Sequence, residues 1–232
     1  MTLAAPPLRI VLFDLDGTLI DSTELIVSSF EHTYRAMGRV MTVEQIKADL
    51  GMPLRDTLAR YFRNDELERA LQTYLTFNLE RHDEGVRQMA GVAALVHRLS
   101  AGGLRLGVVT SKMRDTALRG LRLCHLDRPF EVIVAKEDTP RHKPDSEPLI
   151  YALAAFEADA HSCAYVGDTP LDVEAARGAG VRAIAALWRP VPASVFASWP
   201  PDAYAQTPEE AADILERWRV GGADEGAVDE AM

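Results

Sequence analysis

The chain has 232 residues, of which 47% are apolar and 26% are charged. These values are typical of one large globular domain, or of a main domain with a smaller insert, and they argue against a disordered, collagen-like or disulfide-stapled chain. The formal net charge is -10, and because so acidic a surface repels a phosphodiester backbone, we expect no nucleic-acid partner.

Three features of the sequence predict a cytoplasmic protein. Cys124 and Cys163 lie far apart without CxxC spacing, a pattern that indicates neither a zinc site nor a redox motif. The first residues lack a basic region and their short apolar run is interrupted at Asp14, unlike a signal peptide. No run of eighteen apolar residues occurs, so we expect no membrane span.

Short apolar runs alternate with stretches of helical periodicity along most of the chain. This alternation predicts βαβ units, and therefore an α/β fold with a parallel sheet. The predicted strands are residues 9–13, 104–109, 130–135, 164–166 and 181–187. The predicted helices between them are residues 92–99, 114–123, 146–156 and 171–179.

One segment breaks the alternation, because it has helical periodicity and no convincing strand. Its predicted helices are residues 24–37, 42–50, 54–62 and 66–81. A single crossover helix needs far fewer residues, so we predict an inserted helical domain; a longer helical decoration of the sheet is the alternative. The predicted organisation is a core at 1–21 and 86–220, a cap at 22–85 with a return linker at 81–85, and a frayed acidic tail at 221–232.

Polar residues follow the predicted strands at the points where the strands end. In an open parallel sheet, ligands bind outside these carboxyl ends, so we expect the polar side chains to share one site. The candidates are Asp14, Asp16, Gly17 and Thr18 after the first strand, Thr110, Ser111 and Lys112 after the second, Lys143 before the helix that precedes the fourth, and Asp168 and Asp172 after the fourth.

Several carboxylates in one buried site repel each other unless a cation compensates them. An all-oxygen set favours Mg²⁺, and the six histidines show no zinc spacing. Thr110 and Lys143 offer a hydrogen-bond donor and a positive charge. Backbone N–H groups at the turns around Gly17, Thr18 and Ser111 can hold an anion. Together these groups predict a metal-assisted phosphate site.

Two of the acids have a spacing that suits phosphoryl transfer. Asp14 can attack phosphorus and form an aspartyl-phosphate. Asp16 can then protonate the leaving oxygen and later activate the water that cleaves the intermediate. Lys143 and Mg²⁺ would neutralise the charge that develops on the phosphoryl group. These residues could instead have purely structural roles. The alternatives are an Asp-Gly turn at 14–17, a helix cap at Thr110 and Ser111, and carboxylates at 168 and 172 that interact with the helix dipole.

Four short segments carry a resemblance to a known family. They are DLDGTL at residues 14–19, TSK at 110–112, KP at 143–144 and GDTPLD at 167–172. In this order they resemble motifs I to IV of the HAD (haloacid dehalogenase-like) superfamily of phosphatases. The resemblance implies a Rossmann-like parallel sheet core with an α-helical cap domain inserted between the first and second motifs.

The same resemblance implies a role for each matching residue, and a finer likeness suggests a substrate. The implied roles are nucleophile and metal ligand for Asp14, acid/base and carbonyl metal ligand for Asp16, phosphate ligand for Thr110 and Lys143, metal ligand for Asp168, and metal-site carboxylate that orients Lys143 for Asp172. Residues 77–86 and 108–149 resemble bacterial inorganic pyrophosphatases, which are close cousins of phosphoglycolate phosphatases. Arg55 follows a break between cap helices where capped members place a specificity loop, and it is a candidate contact for a second phosphate or a carboxylate.

We therefore expect a Mg²⁺-dependent hydrolase of a small phosphorylated compound, with pyrophosphate as first choice and 2-phosphoglycolate as the alternative. A sugar phosphomutase would share every motif. A haloacid dehalogenase would need neither the metal nor Asp16, and a non-catalytic phosphate-binding module would have little use for Asp14 and Asp16 together. A solvent-exposed turn residue is an equal alternative for Arg55, and monomer and homodimer both stay open.

Overall fold

The computed structural model describes residues 7–189 and 191–220, and its core is a six-stranded parallel sheet. The strands are β1 (Ile10–Phe13), β4 (Arg105–Val109), β5 (Phe130–Val134), β6 (Cys163–Gly167), β7 (Arg182–Ala186) and β8 (Ala203–Ala205). A separate antiparallel pair consists of β2 (Ile20–Asp21) and β3 (Arg87–Gln88). The order in the large sheet is β5-β4-β1-β6-β7-β8.

Helices cover both faces of the sheet. One face packs against α5 (Val92–Ala101), α6 (Arg114–Leu123) and α9 (Pro208–Arg219), and the other against α7 (Glu147–Phe156) and α8 (Pro170–Gly178). Side chains of β1 alternate between the two hydrophobic clusters, with Phe13 in the first and Leu12 in the second, and both are fully buried. Full burial of such a side chain contributes about 1.5–3 kcal/mol, which explains why this short apolar strand lies at the centre.

The position of β1 also places the site. It pairs with β4 on one side and with β6 on the other, both in parallel register. The order of strands therefore reverses around β1, and the diverging connections leave a crevice at the carboxyl end of this strand. The α/β class and the parallel sheet predicted from the sequence are confirmed.

Four helices are inserted between β2 and β3, as predicted. They are α1 (Thr23–Ala36), α2 (Val43–Ala48), α3 (Leu54–Ala59) and α4 (Asn64–Gly85). They bury a hydrophobic cluster of their own, in which the Phe30 ring stacks on Tyr34 and lies tilted against Tyr74, with ring centroids 6.0 and 4.8 Å apart. We call these helices the cap. The β2–β3 pair holds the two chain crossings between core and cap side by side.

The structure differs from the sequence prediction at several elements. Residues 81–85, predicted as a return linker, are the last turn of α4. Gly85 is the last residue of this helix, and a Cβ there would lie 2.8 Å from Cβ of Leu25. The glycine is therefore a packing position that lets the end of α4 approach α1 closely, and it does not mark a linker. The strands β2, β3 and β8 and the helix α9 were not predicted, and the predicted tail at 221–232 lies outside the described residues. None of the helices in the described ranges combines the length and the apolar character that a membrane span requires.

Candidate active site

Three buried carboxylates meet at the carboxyl end of β1. Asp14, Asp168 and Asp172 are 7%, 3% and 1% exposed, and each offers one oxygen to a group whose members all lie within 4.8 Å of one another. Oδ1 of Asp168 is buried and has no hydrogen-bond partner among the described residues. Such a set of oxygens with one free acceptor fits a hard divalent cation such as Mg²⁺.

The local sequence explains how these acids come so close. The backbone N–H of Asp14 donates to the carbonyl of Val166 at 2.9 Å, which continues the strand pairing up to the first acid. Gly17 has a φ of 87°, and a Cβ at this position would overlap the carboxylate of Asp168. A glycine is therefore required both by the backbone conformation and by the closeness of Asp168.

Lys143 is the cation at the centre of this cluster. Its Nζ donates to Oδ1 of Asp14 at 2.7 Å, to Oδ1 of Asp172 at 2.6 Å and to the hydroxyl of Tyr165 at 2.9 Å. Burial alone would lower the pKa of Lys143, but the charges of Asp14 and Asp172 outweigh it and hold the pKa well above its usual value. Lys143 therefore stays charged and keeps a positive centre beside Asp14.

Burial has the opposite effect on two of the acids. It raises the pKa of Asp14 to about 7, although Lys143 opposes the shift. It raises the pKa of Asp168 to about 8, although Arg189 opposes it. Both carboxyls are therefore held near the boundary between their neutral and ionised forms, and additional positive charge in the cluster would favour ionisation.

The Asp16 carboxylate has different partners from those of Asp14. Nζ of Lys112 lies 2.8 and 3.1 Å from its two oxygens, and the hydroxyl of Ser22 donates to Oδ1 at 2.5 Å. Burial tends to raise the pKa of Asp16, but the Lys112 charge and these hydrogen bonds outweigh it, so the pKa is lowered. Asp16 is thus ionised and lies on the side of the site where the cap begins.

Thr110 and Ser111 follow β4 at the same edge. Thr110 is buried, its N–H donates to the carbonyl of Val134 at 2.9 Å, and its hydroxyl oxygen accepts from the N–H of Lys112 at 3.2 Å. Ser111 is half-buried at the turn. Thr18 is fully buried, and its hydroxyl has no partner among the described residues. Lys112, the next residue in this turn, contacts Asp16 in the turn after β1, so the turns after β1 and β4 lie together, as the strand-end argument predicted.

Arg55 is a predicted site residue whose side chain pairs with another part of the cap and not with the acids. It lies on α3, its side chain is 51% exposed, and it forms a two-bond ion pair with Glu68 at 2.8 and 2.9 Å. The preceding break does approach the core. A Cβ on Gly51 would lie 2.9 Å from Cγ2 of Thr169, so the loop at Gly51 covers the start of α8.

Three residues that the sequence analysis did not single out also contact the site. Tyr165 lies within an apolar strand, where its hydroxyl was not recognised as a partner of Lys143. Arg189 follows β7, and its guanidinium donates to Oδ2 of Asp168 at 2.6 Å. Nε1 of Trp188 donates to the carbonyl of Thr18 at 3.1 Å. Applying the strand-end rule to the fifth predicted strand would have found Trp188 and Arg189.

The fold and this constellation define a class of protein, and comparison with known proteins agrees. Residues 11–186 match the family model of the haloacid dehalogenase-like hydrolases, and the chain belongs to this family. The resemblance stated from the four motifs is therefore confirmed, and the chain is an enzyme of the phosphatase class.

Individual proteins within and near this family are similar to the chain over most of its length. The chain is 41% identical over 177 residues to a protein named pyrophosphatase PpaX from Halalkalibacterium halodurans. The aligned region covers 74% of this chain and 80% of that relative. It is 39% identical over 180 residues to a protein named pyrophosphatase PpaX from Bacillus pumilus. Here the aligned region covers 77% of this chain and 82% of the relative. A solved haloacid dehalogenase-like family hydrolase from Streptococcus pneumoniae has the same fold, with a TM-score of 0.81 at 24% identity over 90% of this chain and 98% of that chain.

Proposed function

We propose that this chain is a Mg²⁺-dependent phosphohydrolase that cleaves inorganic pyrophosphate through an aspartyl-phosphate on Asp14. One observation carries the proposal. The buried acids Asp14, Asp168 and Asp172 form one group, and Lys143 donates to two of them, Asp14 and Asp172. The neighbouring carboxylate of Asp16 instead pairs with Lys112. The names of the relatives support the choice of pyrophosphate.

In the first half-reaction, a carboxylate oxygen of Asp14 attacks phosphorus, and the bond between phosphorus and the leaving phosphate oxygen breaks. Asp16, which has first taken up a proton from the substrate or from solvent, delivers it to that oxygen. In the second half-reaction, water attacks the phosphorus of the aspartyl-phosphate, and Asp16 accepts the proton of this water. Asp14 is restored, and one pyrophosphate and one water have become two phosphates. Asp16 acts in both halves, first as acid and then as base.

The remaining residues bind and neutralise. Lys143 lies 2.7 Å from the nucleophile and can pass its hydrogen bond to a phosphoryl oxygen, and the hydroxyl of Thr110 and the turn N–H groups at Gly17, Thr18 and Ser111 can hold the other oxygens. A Mg²⁺ ion held by Asp14, Asp168, Asp172 and the carbonyl of Asp16 would supply the charge that stabilises the phosphoryl oxygens. The free oxygen of Asp168 supports this assignment.

Lys112 favours a negatively charged leaving group. The leaving oxygen must come within hydrogen-bond reach of Asp16, and Nζ of Lys112 already lies 2.8 Å from that carboxylate. Any leaving group that Asp16 protonates is therefore close to the Lys112 ammonium. The phosphate released from pyrophosphate gains most from this charge. The glycolate released from 2-phosphoglycolate is also an anion, which keeps phosphoglycolate phosphatase as the second candidate.

We also propose that residues 22–85 act as a movable cap on a core formed by residues 1–21 and 86–220. The approach of Gly51 to Thr169 supports a closed position. Closure would exclude bulk water from the aspartyl-phosphate, and opening would release phosphate, as in other lidded enzymes. Arg55 keeps its proposed role as a cap contact for the substrate only if it leaves Glu68 when substrate binds.

The test is phosphate release from equal concentrations of pyrophosphate, 2-phosphoglycolate, a hexose phosphate and p-nitrophenyl phosphate, with Mg²⁺ and with excess EDTA. We expect the highest kcat/KM with pyrophosphate and no release in EDTA. A preference for 2-phosphoglycolate would keep the mechanism and change the substrate. Conversion of the hexose phosphate to an isomer would indicate a mutase, and the absence of Mg²⁺-dependent release from any substrate would contradict the proposal.

A further inference from the structure

Arg189 joins the acid cluster to the cap through a single side chain. Its Nη2 donates to Oδ2 of Asp168 at 2.6 Å, and its Nη1 donates to the hydroxyl of Thr23 at 2.7 Å. Asp168 follows β6 in the core, whereas Thr23 is the first residue of α1, where the cap begins. The guanidinium therefore spans the boundary between the two parts of the chain at the site itself.

The other contacts of Asp168 show what this hydrogen bond does to the carboxylate. The Asp168 side chain is 2% exposed, and Gly17 packs so closely against it that no Cβ would fit there. With Oδ2 held by Arg189, Oδ1 is buried and has no partner within the described residues. The carboxylate is thus fixed by Arg189 with one buried oxygen left free, and Asp168 belongs to the group formed with Asp14 and Asp172.

Carboxylates that ligate metals are commonly held by hydrogen bonds from residues outside the ligand set, and loss of such a partner typically costs 10–100-fold in metal affinity. Arginine suits this task because its donors form a rigid planar fork, which can serve two acceptors in a fixed direction. The neighbouring residue adds to the arrangement, since Trp188 donates to Thr18 in the turn after β1. The Trp188-Arg189 pair therefore holds both the turn and the acid.

We propose that Arg189 is a positioning residue that orients Asp168 for the metal ion and, through Thr23, couples metal binding to the position of the cap. The inference rests on the Mg²⁺ site of the proposed function. Because coupling between two sites is reciprocal, a metal ion that fixes Asp168 also fixes Arg189 and with it the start of α1. In the same way, when the cap moves away from Arg189, the carboxylate of Asp168 is held less firmly in its orientation.

Mg²⁺ binding to the full chain, measured by isothermal titration calorimetry without substrate, tests the first half of this inference. We expect Arg189→Gln to weaken Mg²⁺ binding by about 10–100-fold and Arg189→Lys, which keeps the charge but loses the fork, to weaken it less. Arg105→Gln is the matched control, because Arg105 pairs with Glu131 at 2.7 Å at the opposite edge of the sheet; it should bind Mg²⁺ like the unchanged chain.

Failure of this inference can be distinguished from failure of the proposed metal site. Equal or tighter Mg²⁺ binding by Arg189→Gln would overturn the inference, because it would mean that the guanidinium is only a competing cation on Asp168. If the unchanged chain binds no Mg²⁺, the proposed metal site fails, and this inference fails with it. Binding by the unchanged chain together with unaltered binding by both Arg189 variants overturns the inference alone.

Amide hydrogen exchange, followed by mass spectrometry, tests the coupling to the cap. We expect Mg²⁺ to slow exchange in the first turns of α1 in the unchanged chain, and to have a clearly smaller effect in Thr23→Val, which removes the cap-side hydrogen bond but leaves the guanidinium on Asp168. Thr23→Val should also lose less Mg²⁺ affinity than Arg189→Gln. An identical Mg²⁺ response of α1 in both proteins would refute the coupling.

Discussion

Asp14 and Asp16 stand two residues apart in the sequence, yet their carboxylates lie in different electrostatic surroundings. Burial raises the pKa of Asp14 to about 7, whereas for Asp16 burial is outweighed by Lys112 and Ser22, which lower the pKa. An ionised Asp16 is ready to act as a base. To act as an acid it must first take up a proton from the substrate or from solvent. A leaving phosphate that attracts the Lys112 ammonium would favour this uptake, because loss of the Lys112 contact raises the pKa of Asp16.

The proposed move of Lys112 from Asp16 to the leaving phosphate can be tested by substituting Lys112. With Lys112→Gln, we expect kcat/KM for pyrophosphate to fall by about 10–100-fold, because a charge-assisted contact to the leaving group contributes about 1.5–3 kcal/mol. The value for p-nitrophenyl phosphate, whose leaving group has no such phosphate, should fall much less. Lys47→Gln, at an exposed position on α2, serves as the control. Equal losses for both substrates would mean that Lys112 only adjusts the pKa of Asp16.

The raised pKa values of Asp14 and Asp168, about 7 and 8, have a consequence for stability. Both exceed the value of 3.8 for the free side chain, so between pH 4 and pH 8 the folded chain binds more protons at these groups than the unfolded chain. Their contribution to the free energy of unfolding therefore decreases as the pH rises through this window. A bound metal ion would favour the ionised carboxylates and oppose this decrease.

We therefore expect Mg²⁺ to raise the melting temperature more at pH 8 than at pH 6, relative to EDTA at the same pH. Differential scanning calorimetry of the full chain, without substrate, measures this difference. Ca²⁺ at equal ionic strength would show whether the shift depends on the size of the cation. A Mg²⁺ shift that is larger at pH 6 would contradict ionisation of these carboxyls on metal binding.

Among the elements, the short loop before α3 links the cap to the site. Gly51 has a φ of 93° and lies against Thr169, whereas Gly38, after α1, has a φ of 73° and open space around it. An alanine at either position meets the same backbone penalty, about 1–2 kcal/mol. Only at Gly51 would the added methyl group also push the cap away from α8.

We expect Gly51→Ala and Gly38→Ala to lower the melting temperature by similar amounts. Only Gly51→Ala should also lower kcat/KM for pyrophosphate, by about tenfold or more, because small displacements of groups that position a substrate are costly. Steady-state kinetics and thermal unfolding of the two variants make the comparison. A loss of kcat/KM of the same size in Gly38→Ala would mean that cap stability, and not contact with the core, explains the effect.

The elements also show which parts of the site the sequence could reveal. Asp14, Thr110 and Asp168 were predicted together because each follows an apolar strand, and the carboxyl ends of parallel strands share one edge. Tyr165 could not be found in this way, since its hydroxyl acts from within a buried strand. The pair β2 and β3 has two residues in each strand, which is too short for a periodicity signal.

Helix α9 was missed although its apolar residues Ala211, Leu215 and Trp218 have helical spacing. The alternation of apolar runs and helical stretches is weak after the fifth predicted strand, because β8, which precedes α9, has three residues. The extension of α4 to Gly85 could not be predicted from the sequence for a different reason. A glycine near charged residues indicates a linker in sequence, and only the contact with Leu25 shows that it is a packing position.

For the whole molecule, the core carries the acid cluster, and in our proposal the cap closes over it. The two crossings between core and cap are paired as β2 and β3, and Ser22 and Thr23, at the first crossing, contact Asp16 and Arg189. Movement of the cap would therefore change the surroundings of the acid/base and of a metal ligand together. The sequence predicted the insertion of the cap, but not these contacts, which depend on tertiary structure.

The central claim is that Asp14 carries the phosphoryl group during turnover. Rapid quench of a pyrophosphate reaction in Mg²⁺, followed by borohydride reduction and peptide mass spectrometry, detects an aspartyl-phosphate because reduction converts it to homoserine. We expect homoserine at position 14 in the unchanged chain, and in Asp14→Asn no such product together with a loss of turnover of about 10³-fold or more. Phosphate release without any modification at position 14, or full turnover by Asp14→Asn, would contradict the account.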